Sequence, residues 1–306
     1  MTTALVTGGA GFIGSHLVDA LVSAGHRVVV VDNLSTGKTR NLNSSAVFHR
    51  MDIRDDALSG VFEAEQPEVV FHLAAQMDVR RSVLEPVFDA EINILGAIKL
   101  LELAVKHRVR KFIFSSTGGA IYGEPESLPA SEACPPRPKC PYGASKLAFE
   151  HYLRLYHDLH ALPFTILRFP NVYGPRQSPE GEAGVCSILI GLMLRGVSPT
   201  LYGFGEPLRD YVYVGDIVRG CLLSLDRGDS ETINLGSERG ASVNELFAIL
   251  SDLIGFRGEA KREPLRAGEV AQIYTTGERA RALLGWAPEV DLRTGLAHTL
   301  AYIREH

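Results

Sequence analysis

The feature that most constrains this chain is a glycine turn held between a strand and a helix. Ala4 to Thr7 is a short apolar run, and a helical pattern extends from about Phe12 to Ala24, with Gly25 placed to stop it. Between them stands Thr7-Gly8-Gly9-Ala10-Gly11-Phe12-Ile13-Gly14, in which Gly8, Gly11 and Gly14 have the spacing G-x-x-G-x-x-G. Glycine permits the tight turn and lets a pyrophosphate approach the backbone and the helix N-terminus. Glycine turns are common, so the position between strand and helix is what gives this spacing weight.

The rest of the first half repeats the alternation. Strands are read at Arg27 to Val31, Ala46 to Arg50, Val69 to Leu73, Lys111 to Ser115 and Phe164 to Arg168. Helical patterns lie between them, the longest from about Pro86 to His107 and from about Tyr142 to His160. Continuous apolar strands separated by helices imply a parallel sheet covered on both faces. The expected fold class is α/β, a doubly wound Rossmann sheet with a smaller C-terminal α/β substrate domain. The expected division is 1–168 for a dinucleotide-binding domain, with a returning segment near 208–236, and 169–306 mainly for substrate. Asp210 to Gly215 reads as a further strand, and helices are expected near Val243 to Ile254 and Leu292 to Arg304. Gly and Pro cluster from Pro170 to Gly184, where binding loops are expected.

The second strand ends at Asp32. A carboxylate there accepts hydrogen bonds from ribose hydroxyls and repels a 2′-phosphate, which favours NAD over NADP. Asp52-Ile53, after the third strand, suits an adenine edge. Tyr142-Gly143-Ala144-Ser145-Lys146 is Y-x-x-x-K at the head of a long helix, which puts both side chains on one face. A free tyrosine has a pKa of about 10, and an adjacent ammonium and a cationic nicotinamide favour its phenolate. The spacing is frequent, and a tyrosine packed over a lysine stem satisfies it equally well. The strand ending Phe114-Ser115-Ser116-Thr117 aims hydroxyls into the crevice at the carboxyl end of a parallel sheet, where Thr117 can hold a substrate hydroxyl toward Tyr142.

Composition narrows the class further. The 306 residues carry a formal net charge of −5, which gives no basic stripe for nucleic acid. Cys134, Cys140, Cys186 and Cys221 form no C-x-x-C pair and are read as free thiols in a reducing compartment. No secretory signal pattern or membrane-spanning apolar run is read, so a cytoplasmic setting is expected. His157 and His160 lie i,i+3 on a helix without a carboxylate pattern and are read as solvated, with no metal site.

Together these residues resemble the extended short-chain dehydrogenase/reductase family. The ordered set is the glycine turn, Asp32, His72-Leu73-Ala74-Ala75, Asn93, the Ser-Ser-Thr strand end and Tyr142-x-x-x-Lys146. It continues through Arg168-Phe169-Pro170-Asn171-Val172-Tyr173-Gly174-Pro175-Arg176, Arg209-Asp210-Tyr211-Val212-Tyr213-Val214 and Asn234-Leu235-Gly236, and closes with Arg266-Ala267-Gly268-Glu269 and Leu284-Gly285-Trp286. Essentially the whole chain is covered, and the similarity is closest to UDP-glucose 4-epimerases.

The resemblance implies that Tyr142 is the acid/base, that Lys146 binds the nicotinamide ribose and lowers the tyrosine pKa, and that Thr117 fills a Ser/Thr position. It implies that Asn93 holds the catalytic helix. It places Phe12, Ile13, Asn33, Ser35, Thr36 and Gly37 on the cofactor, with Leu73, Ala74, Ala75, Gln76, Ser115 and Phe169. It places Asn171, Arg209 and Arg266 on a diphosphate, Glu269 on the uridine ribose, Tyr202 near uracil, and Gly118, Gly184 and Val185 on the substrate. A homodimer built through the two long helices is a further expectation.

Related 4,6-dehydratases carry an Asp-Glu pair after the threonine, where this chain has Gly119 and Ala120. Related UDP-glucuronate decarboxylases carry a Glu in the slot of Ala120. Elimination and assisted decarboxylation lack their carboxylates here, which leaves 4-epimerisation through a 4-keto sugar, and the resemblance implies UDP-glucose and UDP-galactose as the pair interconverted. Gly118-Gly119 makes this loop one residue longer than in the commonest galactose epimerases. The position that gates the sugar pocket in these enzymes aligns with Ile273. The alternatives are 4-epimerisation of UDP-glucuronic acid or UDP-N-acetylglucosamine, or a non-catalytic NAD-binding scaffold.

Overall fold

Four successive valines, Val28 to Val31, leave no polar face, so a strand made of them needs cover on both sides. In the structure, a computed structural model that describes residues 1–179, 184–265 and 270–306, they form the centre of β2 (Arg27–Asp32). This strand lies between β1 (Thr3–Thr7) and β3 (Val47–Arg50). On the other side of β1 follow β4 (Val69–His72), β5 (Lys111–Thr117), β6 (Phe164–Phe169) and β11 (Glu231–Asn234). All seven strands are parallel, in the order β3-β2-β1-β4-β5-β6-β11.

Alternate residues of each strand serve opposite layers. Val6, Val28, Val30 and Phe71 face a layer that includes α1 (Phe12–Ser23), α8 (Val214–Leu223) and α10 (Glu278–Leu284). Leu5, Val29, Val31 and Phe112 face α2 (Leu58–Glu65), α5 (Ala97–Lys106) and α6 (Pro141–His160). Each fully buried aliphatic side chain stabilises by roughly 1.5–3 kcal/mol. A charge placed at Val30 would have to be desolvated within this layer.

The remaining elements build the other wall of the cleft. The short helices α3 (Val79–Leu84) and α4 (Pro86–Ala90) precede a π turn (Glu91–Gly96) that leads into α5. Later come β7 (Asn171–Tyr173), α7 (Val185–Leu194), β8 (Thr200–Tyr202), β9 (Leu208–Arg209) and β10 (Tyr211–Tyr213). The tail adds β12 (Ala241–Ser242), α9 (Val243–Ile254), β13 (Lys261–Glu263), β14 (Gln272–Ile273) and α11 (Leu292–Glu305). Their short strands pair as β7-β10, β8-β13 and β12-β9-β14. Helices α7, α9 and α11 share a separate apolar cluster with Tyr173, Leu201 and Tyr211.

Two elements differ from the sequence reading. The run expected as a strand from Asp210 to Gly215 keeps only Tyr211–Tyr213 extended, and Val214 already begins α8. The apolar residues Val214, Ile217 and Val218 there serve a helix face rather than a sheet. The single helix expected from Pro86 to His107 contains the wide π turn and ends at Lys106. From the segment near 208–236, β11 joins the main sheet edge while β9 and β10 pair outside it. His157 is half-buried against Phe164 and bonded to the Leu162 carbonyl, rather than simply solvated.

Candidate active site

Strand order reverses between β1 and β4, and the loops leaving their carboxyl ends diverge to opposite sides of the sheet. That divergence opens a crevice. The crevice is floored by the glycine turn. Gly8 has φ +73°, and a Cβ there would stand 2.8 Å from the Ala74 nitrogen. A Cβ on Gly14 would stand 2.1 Å from the Gly8 carbonyl oxygen. Helix α1 therefore begins hard against the turn, with Gly11 at its N-cap making no side-chain cap. Its free N–H groups and positive end face the cleft.

The cleft holds about 1200 Å³ and runs from this turn to α7 and β8. Its wall contains Gly8, Gly11, Phe12, Ile13, Gly14, Asp32, Asn33, Ser35 and Thr36 from the expected cofactor set. Asp52, Ile53, Leu73, Ala74, Ala75, Ser115 and Phe169 line it too. So do Thr117, Tyr142, Lys146, Asn171, Gly184, Val185, Tyr202 and Arg209. Four of the expected residues stand behind the wall instead. Gly37 packs against the Asp32 carboxylate, where a Cβ would lie 2.9 Å from Oδ1. The Gly118 N–H donates to the Phe169 carbonyl at 2.7 Å. Gln76 and Asn93 are buried beneath the floor. Arg266 and Glu269 lie outside the described residues.

At the end of the cleft beside β2, Asp32 accepts from the backbone N–H of Ala10 at 3.0 Å and of Leu34 at 2.7 Å. Asp52 accepts from Arg54 Nε at 2.9 Å and from Asn33 Nδ2 at 2.9 Å. The Arg54 hydrogen bonds hold its carboxyl down at about 2, so it stays ionised. The glycine cradle, the open end of α1 and the Asp32 carboxylate at the end of β2 together fit a dinucleotide.

At the other end, α6 brings Tyr142 and Lys146 to the strand end Ser115-Ser116-Thr117 of β5. Lys146 is buried, and its Nζ donates to the Ser115 carbonyl at 2.9 Å and lies 4.7 Å from the Phe114 ring centroid. Burial lowers its pKa to about 7, with Asp89 and Glu150 opposing. Tyr142 is half-buried. Burial raises its pKa well above the usual phenol value, Cys140 and Asp89 add to the rise, and a hydrogen bond with Thr117 opposes it. Lys146 is therefore placed beside the tyrosine, 5.9 Å from its ring centroid, but its charge is not what governs the phenol. The ammonium has its own burial to overcome, and so the expected lowering of the tyrosine pKa calls for additional positive charge in the cleft.

Below this pair lies a buried polar layer. Asn93 Nδ2 donates to the Gln76 carbonyl at 2.8 Å, to Asp89 Oδ1 at 3.0 Å and to Ser145 Oγ at 3.3 Å. The last contact ties the π turn to α6. Behind Thr117, Glu150 receives the Ser116 hydroxyl at 2.6 Å and both faces of the Arg168 guanidinium fork, at 2.9 and 2.7 Å. Arg168 reaches on to Tyr122 Oη at 2.7 Å, and that hydroxyl donates to Asn234 Oδ1 at 2.8 Å.

At the far end, Asn171 opens β7, with its N–H donating to the Asp210 carbonyl at 2.9 Å. Arg209 turns its guanidinium onto the carbonyls of Leu208 at 2.9 Å and Val270 at 2.6 Å. Asp210 is buried, which pushes its carboxyl up to about 6. It gathers Ser237 and Thr275, and so ties β10 to the ends of β11 and β14. Ile273 does not line the cleft. It is buried in a small cluster with Ile121, Tyr122 and Ala130, because β14 turns that side chain toward the loop after β5. Met77, Val79, Lys139 and Gln177 line the cleft without having been singled out from the sequence, and so does Cys140, which was read there as a free thiol and not as a site residue. The only signal for Cys140 was its place two residues before Tyr142.

Residues 4–236 match the NAD dependent epimerase/dehydratase family. The UDP-glucose 4-epimerase of Mycolicibacterium smegmatis is 42% identical over 306 residues, spanning 98% of this chain and 98% of the relative. The structure of UDP-glucose 4-epimerase with UDP-glucose from Thermotoga maritima has a TM-score of 0.98 at 48% identity, covering 99% of each chain. That of the Thermus thermophilus UDP-glucose 4-epimerase in complex with NAD has a TM-score of 0.95 at 43% identity, again covering 99% of each. A glycine-cradled switch point that opens onto a Thr117–Tyr142–Lys146 cluster, shared along the full length with these enzymes, makes this chain a member of the NAD dependent epimerase/dehydratase family.

Proposed function

We propose that this protein is an NAD-dependent 4-epimerase that interconverts UDP-glucose and UDP-galactose through a transient 4-keto sugar. The observation that carries the reading is the meeting of Tyr142, Lys146 and Thr117 at one end of a cleft whose other end is the glycine cradle with Asp32. Residues 1–168 supply the cofactor's wall, and 169–306 supply mainly the sugar nucleotide's, with Asn171, Tyr202, Arg209, Gly184 and Val185 lining that side.

NAD, held by the glycine cradle and Asp32, would supply the hydride acceptor for oxidation at C4 and the hydride donor for its reversal on the other face of the sugar. Tyr142 takes the proton of the C4 hydroxyl as the carbon–hydrogen bond breaks, and gives it back to the carbonyl oxygen after the ring has turned. Thr117 steers the C4 oxygen toward that phenol. Lys146 orients the nicotinamide ribose from its seat on the Ser115 carbonyl. The added positive charge offsets the burial that holds the proton on Tyr142. Gly119 and Ala120, lining the same end, offer no carboxylate for elimination of the C6 hydroxyl or for loss of carbon dioxide.

Two further parts of the reading concern setting and assembly. Four unbridged cysteines support a cytoplasmic location. Among the described residues no helix is long and apolar enough to cross a membrane. A homodimer is supported by exposed apolar residues on the adjoining helices: Tyr152, Leu155 and Leu159 on α6 at i, i+3 and i+7, beside Val87 and Leu95.

The test is turnover of UDP-galactose, UDP-glucuronic acid and UDP-N-acetylgalactosamine in separate reactions, followed by proton NMR. Inversion at C4 of the hexose, fastest of the three, is expected. Fastest inversion of the uronate or of the acetamido sugar would move the substrate to that class. No turnover even with NAD added would overturn the epimerase reading.

A further inference from the structure

Helix α1 carries more than the glycine turn at its head. Phe12, which lines the cleft, is followed at i+4 and i+7 by His16 and Asp19, so the three side chains share one face of the helix. His16 stands edge-on to the Phe12 ring, with centroids 6.2 Å apart. Its Nε2 lies 2.9 Å from the Pro175 carbonyl oxygen. A carbonyl only accepts, so Nε2 carries the proton. One turn further along, Asp19 Oδ2 meets Arg176 Nη2 at 2.7 Å. The other carboxylate oxygen, Oδ1, accepts from Asn43 Nδ2 at 2.7 Å.

Pro175 and Arg176 belong to the run 174–179 that leaves β7, and the next residue, Gln177, lines the cleft. Gln177 in turn meets two other parts of the wall. Its Nε2 donates to the Val172 carbonyl at 3.0 Å, and a Cβ on Gly184 would stand 2.8 Å from its Cδ. Arg176 is the costly residue of the run. Its φ is +67°, in the left-handed region that side chains other than glycine rarely enter, and its Nη1 is buried with no hydrogen-bond partner among the described residues. Strain and an orphaned donor persist in one residue only where its surroundings hold it there. The surroundings that hold it are the bond from His16 and the ion pair with Asp19.

We infer that His16 and Asp19 are positioning residues for the sugar nucleotide: from the cofactor's own helix they clamp Pro175 and Arg176, and through Gln177 they set the part of the cleft wall formed by Val172 and Gly184. The nature of the ligand in this inference rests on the epimerase reading. The start of α1 holds the cofactor's wall and its next two turns hold the sugar nucleotide's, so both walls take their position from one rigid element. The Arg176 and Asp19 side chains are 24% and 34% exposed. An ion pair so exposed contributes little to the stability of a whole fold, and its effect is confined to the run it holds.

Asp19→Asn keeps an acceptor for Asn43 and removes the charge that faces Arg176. In the NAD-loaded protein, KM for UDP-galactose is expected to rise about fivefold, with kcat within about twofold of wild type. Arg176→Met, which keeps the stem and removes the guanidinium, is expected to match it. The two substitutions combined should be no worse than either alone, because they remove the same contact. If Arg176→Met does not fold, Asp19→Glu decides in its place: it keeps the charge, and its KM is expected to stay near wild type where that of Asp19→Asn rises.

A second readout is independent of turnover. UDP is titrated into the NAD-loaded protein by calorimetry, and its dissociation constant is expected to rise by the same factor in both single variants, with NAD affinity and the thermal midpoint unchanged. An unchanged dissociation constant for UDP overturns the inference even if the epimerase assay succeeds. Equal weakening of NAD and UDP overturns it too, since that marks a general loosening of the fold. A wild type that binds UDP but epimerises no sugar, with the variants still weakened, sinks the reaction and leaves the clamp standing. A wild type that does not bind UDP overturns both.

Discussion

Tyr142 is a residue whose surroundings raise its proton affinity while its expected task demands that the proton be shared. Its hydroxyl has a hydrogen bond with Thr117, and burial dominates its titration. In Tyr142→Phe the ring still fills the wall of the cleft but can neither accept nor return a proton. A fall in kcat of about 10²–10⁴-fold is expected, with KM within a few-fold of wild type and NAD still bound. Steady-state kinetics together with the absorbance of bound nucleotide would check it. A variant with near-normal kcat would remove the tyrosine from the chemistry.

The positions of single residues were legible in unequal measure. Gly8, Asp32, Tyr142 and Lys146 could be placed from sequence because each sits at a fixed offset from the end of a strand or the start of a helix, and local geometry then settles its direction. Ile273 could not. It aligned with a position expected to gate the sugar, yet it packs under Ile121 and Ala130. Which way a two-residue strand such as β14 turns its side chain depends on pairing with β9, more than 60 residues away in sequence. Asp89 gave no signal, since an acidic residue in a helix is ordinarily solvated.

Among the elements, β5, α6 and β6 act as one body because their polar side chains meet in the dry layer behind Thr117. Tyr122 closes that layer. Its hydroxyl joins Arg168 to Asn234, and burial pushes its pKa up to about 12. Tyr122→Phe strands Arg168 Nη1 and Asn234 Oδ1 together, an expected cost of about 1–3 kcal/mol in stability. Urea denaturation of mutant and wild type would measure it, and a difference below half a kilocalorie per mole would mean that water replaces the hydroxyl. The strands and long helices of this layer were readable from periodicity, because buried parallel strands leave continuous apolar runs. The split of Tyr211–Val214 between β10 and α8 was not readable. Periodicity cannot separate a short strand from the first turn of a buried helix.

For the whole molecule, the cleft draws its walls from both halves of the chain, and the exposed apolar strip on α6 faces away from the main sheet. If that strip pairs two copies, Leu155→Glu combined with Leu159→Glu places two charges per subunit in the contact. Light scattering should then report a monomer where the wild type is a dimer, with helix content by circular dichroism unchanged. A wild type that is already monomeric at micromolar concentration would refute the proposed assembly.

The π turn at Glu91–Gly96 contains one residue more than a regular helix needs to cover the same rise. Chain length is therefore a form of information here. Deleting a single residue there would tighten the turn into an ordinary one and leave the helix after it facing as before, whereas a deletion within α5 would rotate everything after it by about 100°. In the first case Leu100, Leu101 and Ala104 would keep to the core, and the change would fall on the turn itself, where Asn93 reaches Ser145. Insertions and deletions are usually absorbed by loops. In this chain a turn in the middle of a helix can absorb one as well.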